Sequence, residues 1–128
     1  MLKSAKDFRL SPRDWNDAKE QARAAMIERA KVRGAIPYSD LVKKIKAIEF
    51  RAYDTRLFHL LGQISIEEND AGRGMLSAVV VHKEGDMEPG PGFFLLGQQL
   101  GYNTSNLLKF WVEQLHKVHS VWSLPRAN

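Results

Sequence analysis

Apolar positions along the chain follow a helical rhythm that breaks at a few marked points. Ser11-Pro12 is a helix start, a capping hydroxyl with proline at the first helical position. Trp15, Ala18, Ala22, Ala25, Met26 and Ala30 then recur mostly three and four apart, giving one apolar stripe on a helix that runs to about Val32. Acids stand near its start and Arg29, Lys31 and Arg33 near its end, the order the helix dipole favours, and Gly34 is the stop. Ile36-Pro37-Tyr38 reads as a short extended piece, because proline lacks the amide donor of a central strand. After the capping Ser39, a second helix from Asp40 to Ile48 turns Leu41, Ile45 and Ile48 inward and Lys43, Lys44 and Lys46 outward. Residues 49–53 are a connector. Asp54 caps a third helix, with Leu57, Phe58, Leu60, Leu61 and Ile64 apolar and Thr55, Arg56, His59 and Gln63 free; it ends by Asn69-Asp70-Ala71-Gly72-Arg73-Gly74.

Met75 to Lys83 is β-branched and reads as a strand whose two faces are both partly buried. Glu84 to Gly92, with three glycines and two prolines, is a long turn or wing. Phe93-Phe94-Leu95-Leu96 fits a returning strand or a short helix ending at Gly101, and the Gln98-Gln99-Leu100-Gly101 close favours the helix. Thr104 or Ser105 caps a last helix on which Leu108, Trp111, Leu115, Val118 and Trp122 alternate three and four apart. Residues 1–10 read as a loose arm, 11–122 as one domain and 123–128 as a loose tail.

The fold class this predicts is α+β and mostly helical: a winged helix-turn-helix-like arrangement with a small sheet, an N-terminal helix and a C-terminal amphipathic helix. With 128 residues there is room for one real core. At 44% hydrophobic and 27% charged the chain is ordinary globular material, with no stretch long and apolar enough for a membrane span or a secretory leader. No cysteine is present, so disulfides, thiolate metal sites and thiol nucleophiles are excluded, and a cytoplasmic setting is the default.

Charge is unevenly spread. Met1 to Arg56 carries 14 Lys and Arg against 8 Asp and Glu, whereas Leu57 to Leu100 carries 2 against 6. In a winged helix the third helix offers its polar face to the major groove while nearby cations hold phosphates. Lys43, Lys44, Lys46, Arg51, Tyr53, Thr55, Arg56 and His59 are the candidate contacts, and a non-catalytic module binding duplex DNA is the leading expectation. Asp54 and Glu49 stand close enough in sequence to pair with Arg56 instead.

Pro37-Tyr38-Ser39-Asp40-Leu41, Arg56-Leu57-Phe58-His59-Leu60-Leu61, the valine strand and the glycine turn together resemble the C-terminal winged-helix domain of DNA alkyltransferases and alkyltransferase-like proteins. That family shows a Tyr-Gly-x-Leu/Ile-Ala helix start, an Arg-Ala-Val-Gly recognition helix, a Pro-Cys-His-Arg-Val-Val strand and a Gly-rich wing. Setting Val79-Val80 on the valine pair puts Met75-Leu76-Ser77-Ala78 where Pro-Cys-His-Arg stands, so the alkyl-accepting cysteine is missing and alkyl transfer is excluded. The resemblance spans Ile36 to Phe94 and implies a scaffold. Glu68 to Phe94 also resembles a group of uncharacterised small bacterial proteins that lend no activity.

Catalytic signals are weak. Ser77, His82 and Glu68 make a nominal serine triad, but Ser77 lacks the glycine-flanked elbow that exposes a nucleophile. His116 and His119 are one helical step apart and need a further ligand to hold a metal, and no phosphate-cradle motif occurs. No cofactor is expected. The alternative is a protein-interaction module, an inhibitor or immunity protein or a homodimer, using Phe93, Phe94, Trp111 and Trp122 as anchors inside an acidic rim.

Overall fold

A computed structural model describes residues 2–83, 85 and 87–125. It is mostly helical α+β, with α1 (Pro12–Lys31), β1 (Ile36–Pro37), α2 (Tyr38–Lys44), α3 (Thr55–Asp70), β2 (Val80–Val81), α4 (Pro91–Gln99) and α5 (Leu107–Trp122). Single 3-10 turns, Ala5–Phe8 and Leu76–Val79, precede α1 and β2. Met1, Glu84, Asp86 and Arg126–Asn128 lie outside the described residues, and with them part of the expected wing and tail.

The helix starts follow the expected chemistry. Ser11 Oγ accepts the Asp14 amide at 3.0 Å, and Asp54 Oδ1 accepts the Arg56 amide at 3.0 Å. Trp15, Ala18, Ala22, Met26 and Ala30 are buried, and the small side chains among them let α1 lie close on α3 and on the Leu76–Val79 turn. On α3, Leu57, Leu60, Leu61 and Ile64 face this core. A second cluster of Met75, Ala78, Phe93, Leu96 and Phe110 joins the start of the 3-10 turn to α4 and α5.

Three expectations are corrected. The strand over Met75–Lys83 shrinks to Val80–Val81, preceded by the 3-10 turn. Every side chain from Met75 to Val81 is buried, so the β-branched composition marks a segment enclosed on all sides rather than a half-exposed ribbon. The two-stranded sheet is parallel, Ile36 opposite Val80 and Pro37 opposite Val81, with α2 and α3 as its crossover. A wing is a hairpin and needs antiparallel neighbours, so the winged part of the expected architecture is not present in this pair. The second helix ends at Lys44, four residues early, because Gln21 Oε1 takes the Lys46 and Ala47 amides at 2.7 and 2.9 Å.

The amino-terminal segment also differs from a loose arm. The Lys3 amide donates to His59 Nδ1 at 3.0 Å, Gln63 Nε2 donates to the Lys3 carbonyl at 2.7 Å, and Phe8 stacks on Trp15 with ring centroids 5.7 Å apart. At the other end the Leu124 amide donates to the Lys31 carbonyl at 3.1 Å.

Candidate functional site

An open cleft of about 370 Å³ lies between the start of α2, the connector before α3, α3 itself, and the start of α4. Three aromatic rings form its most unusual wall. Tyr38 stands against His82 at a centroid distance of 5.0 Å, and Tyr53 lies over the same imidazole at 6.1 Å with planes 23° apart. Leu57, Phe58, Leu61, Phe93 and Leu96 make the apolar interior, and Ser77 reaches it from the 3-10 turn.

Local chemistry fixes these groups. The Tyr38 hydroxyl accepts the Gly90 amide at 3.1 Å, which ties α2 to the segment before α4. Burial pushes its phenol above the ordinary tyrosine range, the Gly90 contact pulling the other way, so Tyr38 is a neutral acceptor. The His82 amide donates to the Glu88 carbonyl at 2.9 Å, closing the loop on which His82 sits. Ser77 Oγ accepts from Ser65 Oγ at 2.6 Å, and the Ser77 amide donates back to Ser65 Oγ at 3.0 Å. Tyr53 is the exception: it is 86% exposed, an aromatic ring at the mouth of an apolar cleft held by little beyond its contact with His82.

The eight expected contact residues do not form one surface. Tyr53 and Thr55 line the cleft. Lys43, Lys44 and Lys46 line a separate groove of about 690 Å³ together with Arg29 and one carboxylate, Asp40. At 100° per residue, Lys43 and Lys44 project from α2 well away from Tyr38. Arg51 is exposed on the connector between α2 and α3 and lines neither the cleft nor the groove.

Arg56, its side chain 32% exposed, is paired within the chain. Its guanidinium holds the Asp54 carboxylate at 2.7 Å, donates to the Glu49 carbonyl at 3.1 Å and lies 5.2 Å from the Phe50 ring centroid. The hydrogen bonds from Arg56 hold the Asp54 carboxyl below the usual carboxylate range. His59 is covered by the amino-terminal segment, through the Lys3 amide and the Phe8 ring. The third helix therefore engages Arg56 and His59 with the protein's own chain, both residues remaining partly exposed.

The charge asymmetry of the sequence is partly an internal pairing. Lys19 Nζ meets Glu67 at 2.5 Å, while Arg23 bonds both Glu67 and Glu68; Arg73 completes the enclosure of Glu68, which is 1% exposed. Burial alone would raise the Glu67 carboxyl, but Lys19 and Arg23 outweigh it and hold the group low. Glu68 is thus an element of the α1–α3 contact and lines no part of the cleft with Ser77 and His82.

The four aromatics expected to anchor a partner are likewise occupied. Phe93 is buried against Phe110 at 5.4 Å, and Phe94 packs edge-on against Phe93. Trp111 Nε1 donates to the Ala78 carbonyl at 2.9 Å, and Trp122 lies beneath Arg73 at 5.8 Å. The large apolar side chains that are exposed include Tyr53, Leu95, Leu107, Leu108 and Leu124, none of them in that set. Among the described residues no cluster of three His, Cys, Asp or Glu could hold a metal ion, and no helix is long and apolar enough to cross a membrane.

Sequence reasoning misses the cleft because its parts come from four separated segments. Tyr38 and His82 are brought together by the parallel β1–β2 pair, each lying one residue beyond its strand. Compared with family models, curated proteins and solved structures, the chain finds no match.

Proposed function

We propose that the protein is a non-catalytic nucleic-acid-binding module that receives an unpaired base in the Tyr38–Tyr53–His82 cleft. Arg51, and further away Lys43, Lys44 and Lys46, meet the phosphates of the same strand. The observation that carries this reading is Tyr53, an 86% exposed ring stacked over His82 at the entrance to an apolar cavity. Exposed aromatic rings are how proteins hold unstacked bases, each stack contributing about 1–3 kcal/mol. The cavity is within the roughly 300–1,000 Å³ usual for ligand sites.

Two features favour this reading over a third helix laid in the major groove of a duplex. Arg56 and His59 are already bonded within the chain, whereas Tyr53 and Arg51 are exposed. The resemblance to the alkyltransferase winged-helix domain points to the same place. Tyr38 opens α2 as that family's tyrosine opens its helix, and the helix order before β2 suits a winged-helix scaffold despite the parallel pair. With Val79-Val80 on the family's valine pair, Met75-Leu76-Ser77-Ala78 stands against Pro-Cys-His-Arg. Leu76 then falls at the acceptor cysteine's place, and Ser77 beside it lines the cleft and accepts from Ser65 Oγ. The lack of cysteine accords with binding without transfer, since no thiolate exists to accept a group.

The test is a fluorescence-anisotropy titration with a labelled single strand and with its fully paired duplex, over a series of salt concentrations. Tighter binding of the single strand, with log affinity falling linearly as log salt rises, is the expected result. No binding to either at low salt would overturn the reading in favour of a protein partner.

A further inference from the structure

We infer that the amino-terminal strap, residues 2–10, is a removable cover on α3 behind the cleft, latched there by the neutral imidazole of His59. This goes beyond the binding reading and stands on contacts that need no ligand.

The strap touches α3 at three points along one face. The Lys3 amide donates to His59 Nδ1 at 3.0 Å, and one turn on, Gln63 Nε2 donates to the Lys3 carbonyl at 2.7 Å. Leu2 sits directly on Gly62, whose absent side chain leaves the space: a Cβ there would lie 2.8 Å from Leu2 Cδ1. Phe8 closes the far side, 5.6 Å from the His59 ring and stacked on Trp15, while Trp15 Nε1 donates to Gln63 Oε1 at 2.9 Å.

What the strap separates gives it meaning. Gly62 and Leu96 line the aromatic cleft, and Leu96 also lines a second cavity of about 450 Å³ with Leu2, Ile66, Leu100 and the polar Gln63, Glu67 and Gln99. Leu2 therefore stands at the boundary between the two spaces. With Leu2 withdrawn from Gly62, the cleft gains an extension of mixed polarity toward α4, and the ligand it admits grows in length. His59 also touches the cleft wall, its ring 5.1 Å from Phe58.

The latch depends on protonation because Nδ1 must accept. A proton on Nδ1 would face the Lys3 amide donor-to-donor, and the bond would break. Burial and, after it, Lys3 disfavour the imidazolium while Asp7 favours it, and the imidazole is held below its ordinary range. Among the described residues the aromatic rings against it are Phe8 and Phe58. With the folded-state value depressed, the docked strap is fully stabilised above the ordinary imidazole range and released as pH falls through the lower one.

Amide hydrogen exchange followed by NMR reads this directly. From about pH 7.5 to about pH 5, corrected for intrinsic exchange, protection of the Lys3 and Leu10 amides is expected to fall about threefold to tenfold, the effect of one broken hydrogen bond, while α3 keeps its protection. His59→Asn places an oxygen acceptor where Nδ1 stood and does not titrate, so its strap is expected to stay protected at both pH values. His59→Phe is expected to leave it unprotected at both. Unchanged protection in the wild-type protein, or a parallel fall in His59→Asn, would overturn the proposal, and neither outcome requires that any nucleic acid binds.

Discussion

Tyr53 lies over His82 with ring centroids 6.1 Å apart and planes 23° apart, although Tyr53 is almost wholly exposed. A contact so open to water contributes little to folding. Tyr53→Ala is therefore expected to change stability by no more than about 0.5 kcal/mol, measured by urea denaturation with an unchanged slope.

Tyr38 is the contrasting partner of His82. Tyr38→Phe keeps the ring and removes the acceptor of the Gly90 amide, leaving that donor unsatisfied beside the cleft. A destabilisation of about 1 kcal/mol is expected, and thermal unfolding checks it.

Glu68 tests the charged seam between α1 and α3. It is 1% exposed and enclosed by Arg23 and Arg73, so Glu68→Ala leaves two guanidinium groups facing a buried gap. Destabilisation of about 3–5 kcal/mol is expected from chemical denaturation. Lys31→Ala, which breaks only the exposed pair with Glu28, is expected to cost less than about 0.5 kcal/mol.

Asp54 both caps α3 and holds Arg56, and Arg56 keeps its carboxyl below the usual range. Its folded-state pKa is lower than the unfolded one, so the stabilisation is complete above the ordinary carboxylate range and disappears as pH falls through the depressed value. Asp54→Ala is expected to cost about 1–2 kcal/mol at neutral pH. The difference between mutant and wild type should narrow in a pH series toward strong acid.

Much of this molecule is legible in the sequence where the information is local. Ser11-Pro12 and Asp54 announce two helix starts, and the three-and-four spacing from Trp15 to Ala30 marks the buried stripe of α1. The two acids beside Arg56 are visible as alternative partners, and the Asp54 carboxylate with the Glu49 carbonyl is where its guanidinium goes. What stays hidden depends on distant residues. The strap is fixed by His59 and Gln63, more than fifty positions away, and nothing within residues 1–10 signals that attachment. The β-branched residues of Met75–Val81 suit a strand, yet burial on every side suits a 3-10 turn equally well. On α5 the cap is Asn106 rather than Thr104 or Ser105, and polar Gln114 and His119 are buried. Gln114 Oε1 takes the Met75 amide at 3.0 Å and His119 Nε2 meets the Gly34 carbonyl at 3.0 Å, partners that no periodicity foretells.

The Lys43, Lys44 and Lys46 group is expected to act through charge alone. Replacing all three by alanine should weaken binding of a single strand and make the slope of log affinity against log salt shallower, by about 0.7 for each phosphate that is no longer neutralised. An unaltered slope would place these lysines outside the strand's path.

The most direct test of the cleft is the affinity of Tyr53→Ala for a single-stranded oligonucleotide at fixed salt, with Leu95→Ala as an exposed apolar control. The account predicts affinity about tenfold weaker for Tyr53→Ala with the melting temperature unchanged, and unaltered affinity for Leu95→Ala. Equal affinity of Tyr53→Ala and the wild-type protein would contradict it.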